Sequence, residues 1–214
     1  MAEVTRPKIE RAHPAWRAIK RLLDAVTAAF LLLVLSPLFV LLAILIKLSS
    51  PGCVFYRWKV VGKGGRYFTS YKFRTMFENA DALKEDLLSR NEMKGPMFKI
   101  RNDPRITSAG RWLRRYSLDE LPQLWSVLKG DMSLVGPRPP LQTEFERFTE
   151  WQKRKIQVKP GITCLWQIRG RNRIDDFDDW VRLDIEYIEH WSLWLDFKIL
   201  IKTIPAVLTA RGAS

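Results

Sequence analysis

Apolar residues are distributed unevenly along this chain. Asp24 and Lys47 bracket 22 consecutive residues, 25–46, that carry no charge. By length alone such a run can cross the hydrocarbon core of a bilayer as a helix. It is too long for the apolar core of a signal peptide, and no small-residue cleavage site follows it cleanly. Ser36-Pro37 interrupts the run near its middle. Proline lacks an N–H, clashes with the preceding turn and disfavours helix at residue 36, so a kink is predicted there.

Both flanks of the run are basic. Arg17, Lys20 and Arg21 precede it, and Lys47, Arg57, Lys59, Lys63, Arg66, Lys72 and Arg74 follow, with no acid in residues 47–76. Positive charge tends to stay on the cytoplasmic side of a membrane. A helix–break–helix hairpin that dips into one leaflet keeps both flanks inside. A kinked full span is the alternative, because prolines are tolerated in membrane helices. The pattern alone leaves the two readings open.

Beyond the run the periodicity changes. Residues 54–61 and 66–76 are rich in aromatic and β-branched side chains and flank Gly62-Lys63-Gly64-Gly65, which predicts a β-hairpin. Residues 80–93 read as an exposed, charged helix and 96–107 as loop or short strand. Residues 117–128 read as a helix, and 141–155 as an amphipathic helix ended by Lys159-Pro160-Gly161. Residues 175–189 hold seven carboxylates against Arg182. From His190 onward Trp191, Trp194, Leu195 and Phe197 mix with Asp196, Lys198 and Lys202. Charges interrupt that tail too often for a span. It fits either an interfacial amphipathic helix or a core helix.

Composition narrows the partners. The 214 residues suffice for one sizeable core, and 36 Lys and Arg against 23 Asp and Glu give a net charge of +13. That excess implies an anionic partner: nucleic acid, phospholipid headgroups or a phosphorylated substrate. The apolar run and the lack of a base-reading motif argue against nucleic acid. Nine Trp favour a membrane surface, where one ring edge is wet and the other apolar. Cys53 and Cys164 form neither a metal pattern nor a disulfide framework, in keeping with a reducing compartment.

The densest candidate chemistry lies in residues 111–139, RWLRRYSLDELPQLWSVLKGDMSLVGPRP. Asp119 and Glu120 are adjacent carboxylates, with Arg111, Arg114, Arg115 and Arg138 around them in sequence. One reading is structural: Ser117 and Glu120 fit an S-x-x-E capping box at a helix start. The other is chemical. A helix N-terminus keeps a carboxylate ionised and attracts phosphate, and two carboxylates there can hold Mg²⁺. Arginines grip phosphate oxygens, and an ionised Asp can attack phosphorus to form an acyl phosphate. The two readings are compatible. Arg138 stands in Gly136-Pro137-Arg138-Pro139-Pro140, a stiff turn that presents one arginine. Lys72 and Arg74 alternate within a strand and so face one side. Lys99, Asp103 and Arg105 read as a polar turn, with Asp103-Pro104 as turn former.

Together these strings resemble the bacterial sugar transferases, also called monotopic phosphoglycosyl transferases. The matching segments are YKFRTM (71–76), KIRNDPRIT (99–107), residues 117–139, KPGIT (159–163), LWQIRGRN (165–172) and LDIEYI (183–188). The resemblance implies an α+β, mainly helical chain. Residues 1–50 would form a basic segment and a re-entrant membrane hairpin broken at Ser36-Pro37. Residues 51–214 would form a cytosolic, membrane-associated catalytic domain. It implies an Asp-Glu dyad at Asp119-Glu120, with Mg²⁺ beside it. Asp119 would attack the β-phosphate of a UDP-sugar, release UMP and pass the phosphosugar to undecaprenyl or another polyprenyl phosphate. Arg114 would serve the polyprenyl phosphate, with Lys72, Arg74 and Arg138 near the site. Arg171 and Asp184 would lie on the nucleotide-sugar side. The expected setting is the cytoplasmic face of the bacterial inner membrane, among anionic phospholipids. The oligomeric state, a homodimer included, and the sugar are left open. Many larger members carry four membrane helices and an extra domain ahead of this core, so the chain reads as a minimal version. It departs from the family pattern at Trp58 and Val60, where Gln and Arg are usual. It also departs at Cys164, where Gly is usual, and at Ser126, where Asn is common. These departures bear on packing and sugar choice rather than on the dyad.

Overall fold

The computed structural model describes residues 7–169 and 174–209. The chain is mainly helical, with two small sheets.

The apolar run folds as two helices, α2 (Pro14–Val34) and α3 (Ser36–Ser49), after a single turn, α1 (Lys8–Arg11). Pro37 cannot donate to Leu33 O, and the Ser36 hydroxyl donates to that carbonyl instead at 2.8 Å. The pair is bent by 61° at this point. No single helix among the described residues is long and apolar enough to cross a membrane, whereas the bent pair is so by length and composition. The faces of α2 are inverted relative to a soluble helix. Lys20, Asp24 and Ala28, spaced by one turn, are buried against the rest of the chain, while Leu22, Leu23, Val26, Phe30 and Leu33 are exposed. On α3, Leu42 and Ile46 pack onto Phe73 and Leu113, while Val40, Leu41, Ile44 and Leu48 stay exposed. A large uncovered apolar surface of this kind marks a face meant for lipid or another apolar partner.

The predicted hairpin is β1 (Phe55–Val61) and β2 (Tyr67–Phe73), antiparallel, with Tyr56 opposite Lys72 and Trp58 opposite Ser70. Its turn uses left-handed Gly64 and Gly65. The second sheet is β3 (Ser133–Val135) paired parallel with β4 (Gly161–Thr163). A Cβ on Gly161 would stand 2.0 Å from the Gly136 nitrogen, so glycine is required where these strands meet. Helices α4 (Ser108–Arg115), α5 (Leu124–Lys129), α6 (Gln142–Phe145), α7 (Leu165–Arg169), α8 (Phe177–His190) and α9 (Leu193–Leu208) complete the chain.

One core joins Leu124, Val127, Met132 and Val135 to Ile188, Trp191 and Ile199, with Ala28 of α2 inserted from the bent helix pair. A second collects Met93, Met97, Phe148, Trp166, Phe177 and Trp180. A buried polar knot ties the helix pair to the domain. Lys20 Nζ stands 2.6 Å from Asp196, which also accepts from Tyr187 and Trp191, and Asp24 accepts from Ser133 and the Leu134 N–H.

Three sequence expectations need correction. Residues 141–155 are not one amphipathic helix. α6 ends after a single turn, and a 3₁₀ segment, Gln152–Gln157, follows it. The Arg138–Glu144 pair and the buried Lys155 anchor the two pieces separately. Residues 80–93 form a 3₁₀ segment over Ala82–Arg90 rather than an α-helix. The capping box at Ser117 is absent, as shown next.

Candidate active site

The site is built where α4 returns onto the end of β2. Thr107 caps α4 by accepting from the Gly110 N–H at 2.9 Å. Gly110 then packs against the β2 exit, so closely that a Cβ would stand 2.0 Å from Thr75 O. This approach brings Arg114 Nε to 2.9 Å from Thr75 Oγ1.

Between α4 and the next segment there is no loop. The chain reverses at Ser117, which adopts φ 51°, and continues as a 3₁₀ segment over Leu118–Gln123. Ser117 makes no side-chain capping bond, because a left-handed residue is used here for the reversal rather than for a cap. Asp119 is 8% exposed. Lys72 of β2 places its ammonium 2.8 Å from Glu120 Oε1 and also lies over the Trp58 ring, 4.4 Å from its centroid. Lys72 is thereby held from two sides.

These residues line one cavity of about 510 Å³, together with Arg74, Arg114, Arg138, Asp103, Arg105, Trp166 and Trp180. Burial pushes the Asp119 carboxyl above the usual aspartate range, and the neighbouring Glu120 adds to this. Lys72 and Arg114 pull it back. Arg138 bonds Glu144 at 3.3 Å, and its guanidinium lies 6.0 Å from the Trp180 ring centroid. Trp180 itself stacks on Trp166, with centroids 4.3 Å apart and planes within 9°.

The predicted residues divide into four groups. Asp119, Glu120, Lys72, Arg114 and Arg138 converge on the cavity. Arg74 also lines it, but its guanidinium donates to Ser50 O at 2.8 Å and to Pro51 O. Arg74 therefore lies on the cavity side with Lys72, as alternation implies, and also ties the end of α3 to β2. Asp184 does not line the cavity. It is 1% exposed and paired with Lys155 at 2.7 Å inside the fold. Arg171 lies outside the described residues.

The dyad supplies hard oxygen donors that suit Mg²⁺. Among the described residues no third His, Cys, Asp or Glu joins them.

The family model described as bacterial sugar transferase matches residues 15–210. The chain belongs to the bacterial sugar transferase family. It is 48% identical over 194 residues to the galactosyl transferase CpsE of Streptococcus agalactiae, covering 91% of this chain and 43% of that protein. It is 43% identical over 201 residues to the undecaprenyl-phosphate galactose phosphotransferase of Salmonella typhimurium, covering 92% and 42% respectively. Against the exopolysaccharide production protein ExoY of Rhizobium meliloti it is 42% identical over 205 residues, covering 94% and 90%. The chain thus spans less than half of the first and second of these relatives and nearly all of the third.

The cavity also has lining residues that the sequence did not single out. Thr75, Trp166 and Trp180 come from three separate segments and reach the cavity only through packing. Trp166 lies within the LWQIRGRN string, which offered a signal; Trp180 sits in the acidic run and offered none. Asp103 and Arg105 are more than a turn. Arg105 makes side-chain bonds of 2.9 and 2.6 Å to Asp103, and the pair lines the cavity. The departure at Trp58 also matters more than expected, since its ring supports the Lys72 that holds Glu120.

Proposed function

We propose that this chain moves a sugar-1-phosphate from a UDP-sugar to a polyprenyl phosphate such as undecaprenyl phosphate, through a phosphosugar bound to Asp119. The observation that carries the reading is the buried Asp119 beside Glu120, with Lys72 and Arg114 acting on it in one cavity. The names of relatives point the same way, among them undecaprenyl-phosphate galactose and glucose phosphotransferases.

The geometry translates into steps for the chain's own groups. An Asp119 carboxylate oxygen attacks the β-phosphorus of the donor. The bond from that phosphorus to the bridging oxygen breaks, and UMP leaves with the electron pair. A phosphate oxygen of the lipid then attacks the same phosphorus, the P–O bond of the Asp119 acyl phosphate breaks and the carboxylate is regenerated. Lys72, held by Glu120 and Trp58, and Arg114 and Arg138 neutralise charge on the phosphoryl oxygens. Bound Mg²⁺ would supply a Lewis acid for the diphosphate, held by Asp119 and Glu120. In this reading α2 and α3 form a re-entrant hairpin whose exposed apolar faces lie in one leaflet on the cytoplasmic side. Cavity and lipid phosphate then meet at the same depth.

The test is to screen UDP-sugars for release of UMP and to trap labelled sugar phosphate on the protein. A covalent adduct at Asp119 that chases into lipid product supports the reading. Release of UDP, or product formation by Asp119→Asn with no adduct, would overturn it.

A further inference from the structure

Most polar groups that line the Asp119 cavity are charged. Lys72, Arg114 and Arg138 suit phosphate oxygens. Gln167 of α7 is different: a neutral amide, partly exposed to the cavity, with no part in the phosphoryl chemistry. One end of its side chain is anchored. Oε1 accepts from the Cys164 N–H at 3.2 Å and lies 3.7 Å from Cys164 Sγ. A glutamine three residues into a helix reaches back in this way in half of a capping box. Burial first, and then the Asp184 charge, holds the Cys164 thiol well above its ordinary pKa, so it stays protonated and can donate. Turning the amide over would set its NH₂ against both donors, so its orientation is fixed. The free end is therefore Nε2, which donates to nothing among the described residues.

A fixed neutral donor suits a neutral acceptor, and position indicates which. Glu120 also raises the Cys164 thiol, so the charge of the dyad reaches the residue that holds Gln167. In a UDP-sugar the sugar is joined directly to the β-phosphorus. The uracil is separated from it by the α-phosphate and the ribose. A donor close to the dyad therefore meets the sugar before the base. Beside Gln167, the stacked Trp166 and Trp180 give the cavity an apolar wall against which the C–H face of a sugar ring can rest. We propose that Gln167 is a sugar-recognition residue, its Nε2 donating to one hydroxyl of the sugar being transferred. Cys164 is then a positioning residue, because it sets which end of the amide faces the cavity. The proposal rests on a UDP-sugar being the donor.

The test uses the full chain in detergent, with UDP-galactose, UDP-glucose and the single-deoxy analogues of whichever turns over faster. It reads kcat/KM for UMP release and the inhibition constant of UDP. Gln167→Met should lower kcat/KM with the full sugar about tenfold, the factor of one neutral hydrogen bond, and leave inhibition by UDP unchanged. Wild type should lose a similar factor with one deoxy analogue, and on that analogue wild type and Gln167→Met should be equal. Should Gln167→Met fail to fold, Gln167→Glu keeps the bond to Cys164 and removes the donor. Its ratio of full sugar to deoxy analogue should change at that same hydroxyl and at no other. An equal loss with every analogue, or weaker inhibition by UDP, would mean that Gln167 serves helix start or nucleotide, and would overturn the proposal. No release of UMP by wild type from any UDP-sugar would overturn the donor assignment and this proposal with it; release that ignores Gln167 would overturn this proposal alone.

Discussion

Two aspartates in this molecule are buried beside a lysine, and they are used in opposite ways. Asp184 and Lys155 are both 1% exposed and stand 2.7 Å apart as an ion pair inside the fold. Asp119 is almost as buried, yet its nearest lysine, Lys72, is committed to Glu120, and no ion pair holds Asp119 among the described residues. Burial pushes both carboxyls up. The difference is what lies beyond them: packed core around Asp184, an open cavity around Asp119. A paired carboxylate in a closed core serves structure. One held in part by long-range charge, at the edge of a cavity, has its lone pairs left for a substrate.

Substitutions can break this contrast, and the largest effect is expected at Asp119. Asp119→Asn should lower turnover at least about 10³-fold with the fold intact, measured as UMP release against thermal unfolding. Chelation of divalent cations should be comparably severe. Thermal stabilisation by added Mg²⁺ should vanish in Asp119→Asn but persist in Asp184→Asn. Next comes Lys155→Met, which strands Asp184 and should cost about 3–5 kcal/mol of stability; adding Asp184→Leu should recover most of it. Glu120→Gln should reduce the rate about 10²-fold, because on the proposed chemistry it weakens Mg²⁺ binding, and it frees Lys72.

The smallest effect is the pH dependence. The Asp119 carboxyl is raised in the folded state, so its ionisation opposes folding. That cost is absent at low pH, grows as pH rises through the ordinary aspartate range and is complete above the raised value. Asp119→Asn should therefore unfold at a higher temperature than wild type at neutral pH, with the gap closing in acid. Wild-type activity should fall on the acid side above the ordinary aspartate range, where the carboxylate is lost. A stability gap that stays constant with pH would mean that burial does not strain this carboxyl.

Much of the candidate site was legible in the sequence because it is concentrated in a single string. Residues 117–139 hold the dyad, Arg138 and the strand that positions it, so adjacency in sequence stood in for adjacency in space. The kink at Ser36-Pro37 and the hairpin around Gly62–Gly65 were legible for another reason: proline and glycine act on the backbone locally. Longer-range roles were not legible. Alternation put Lys72 and Arg74 on the cavity side together, but not the bonds that draw Arg74, beyond the strand end, to carbonyls at the end of α3. Ser117 looked like a cap because S-x-x-E is a helix signature, yet the absence of a loop after α4 required the residue for a turn.

By itself, then, the sequence determined the elements whose causes are local: a charge-free run with a proline break, a glycine turn, and adjacent carboxylates among arginines. Tertiary structure alone decided which charged groups are consumed by the fold and which stay available. Lys155 and Asp184 cancel each other, Arg74 is tied to backbone, and Lys72 is held between Trp58 and Glu120. That division depends on burial and on distances of a few ångströms between segments far apart in the chain, which no spacing along the sequence encodes.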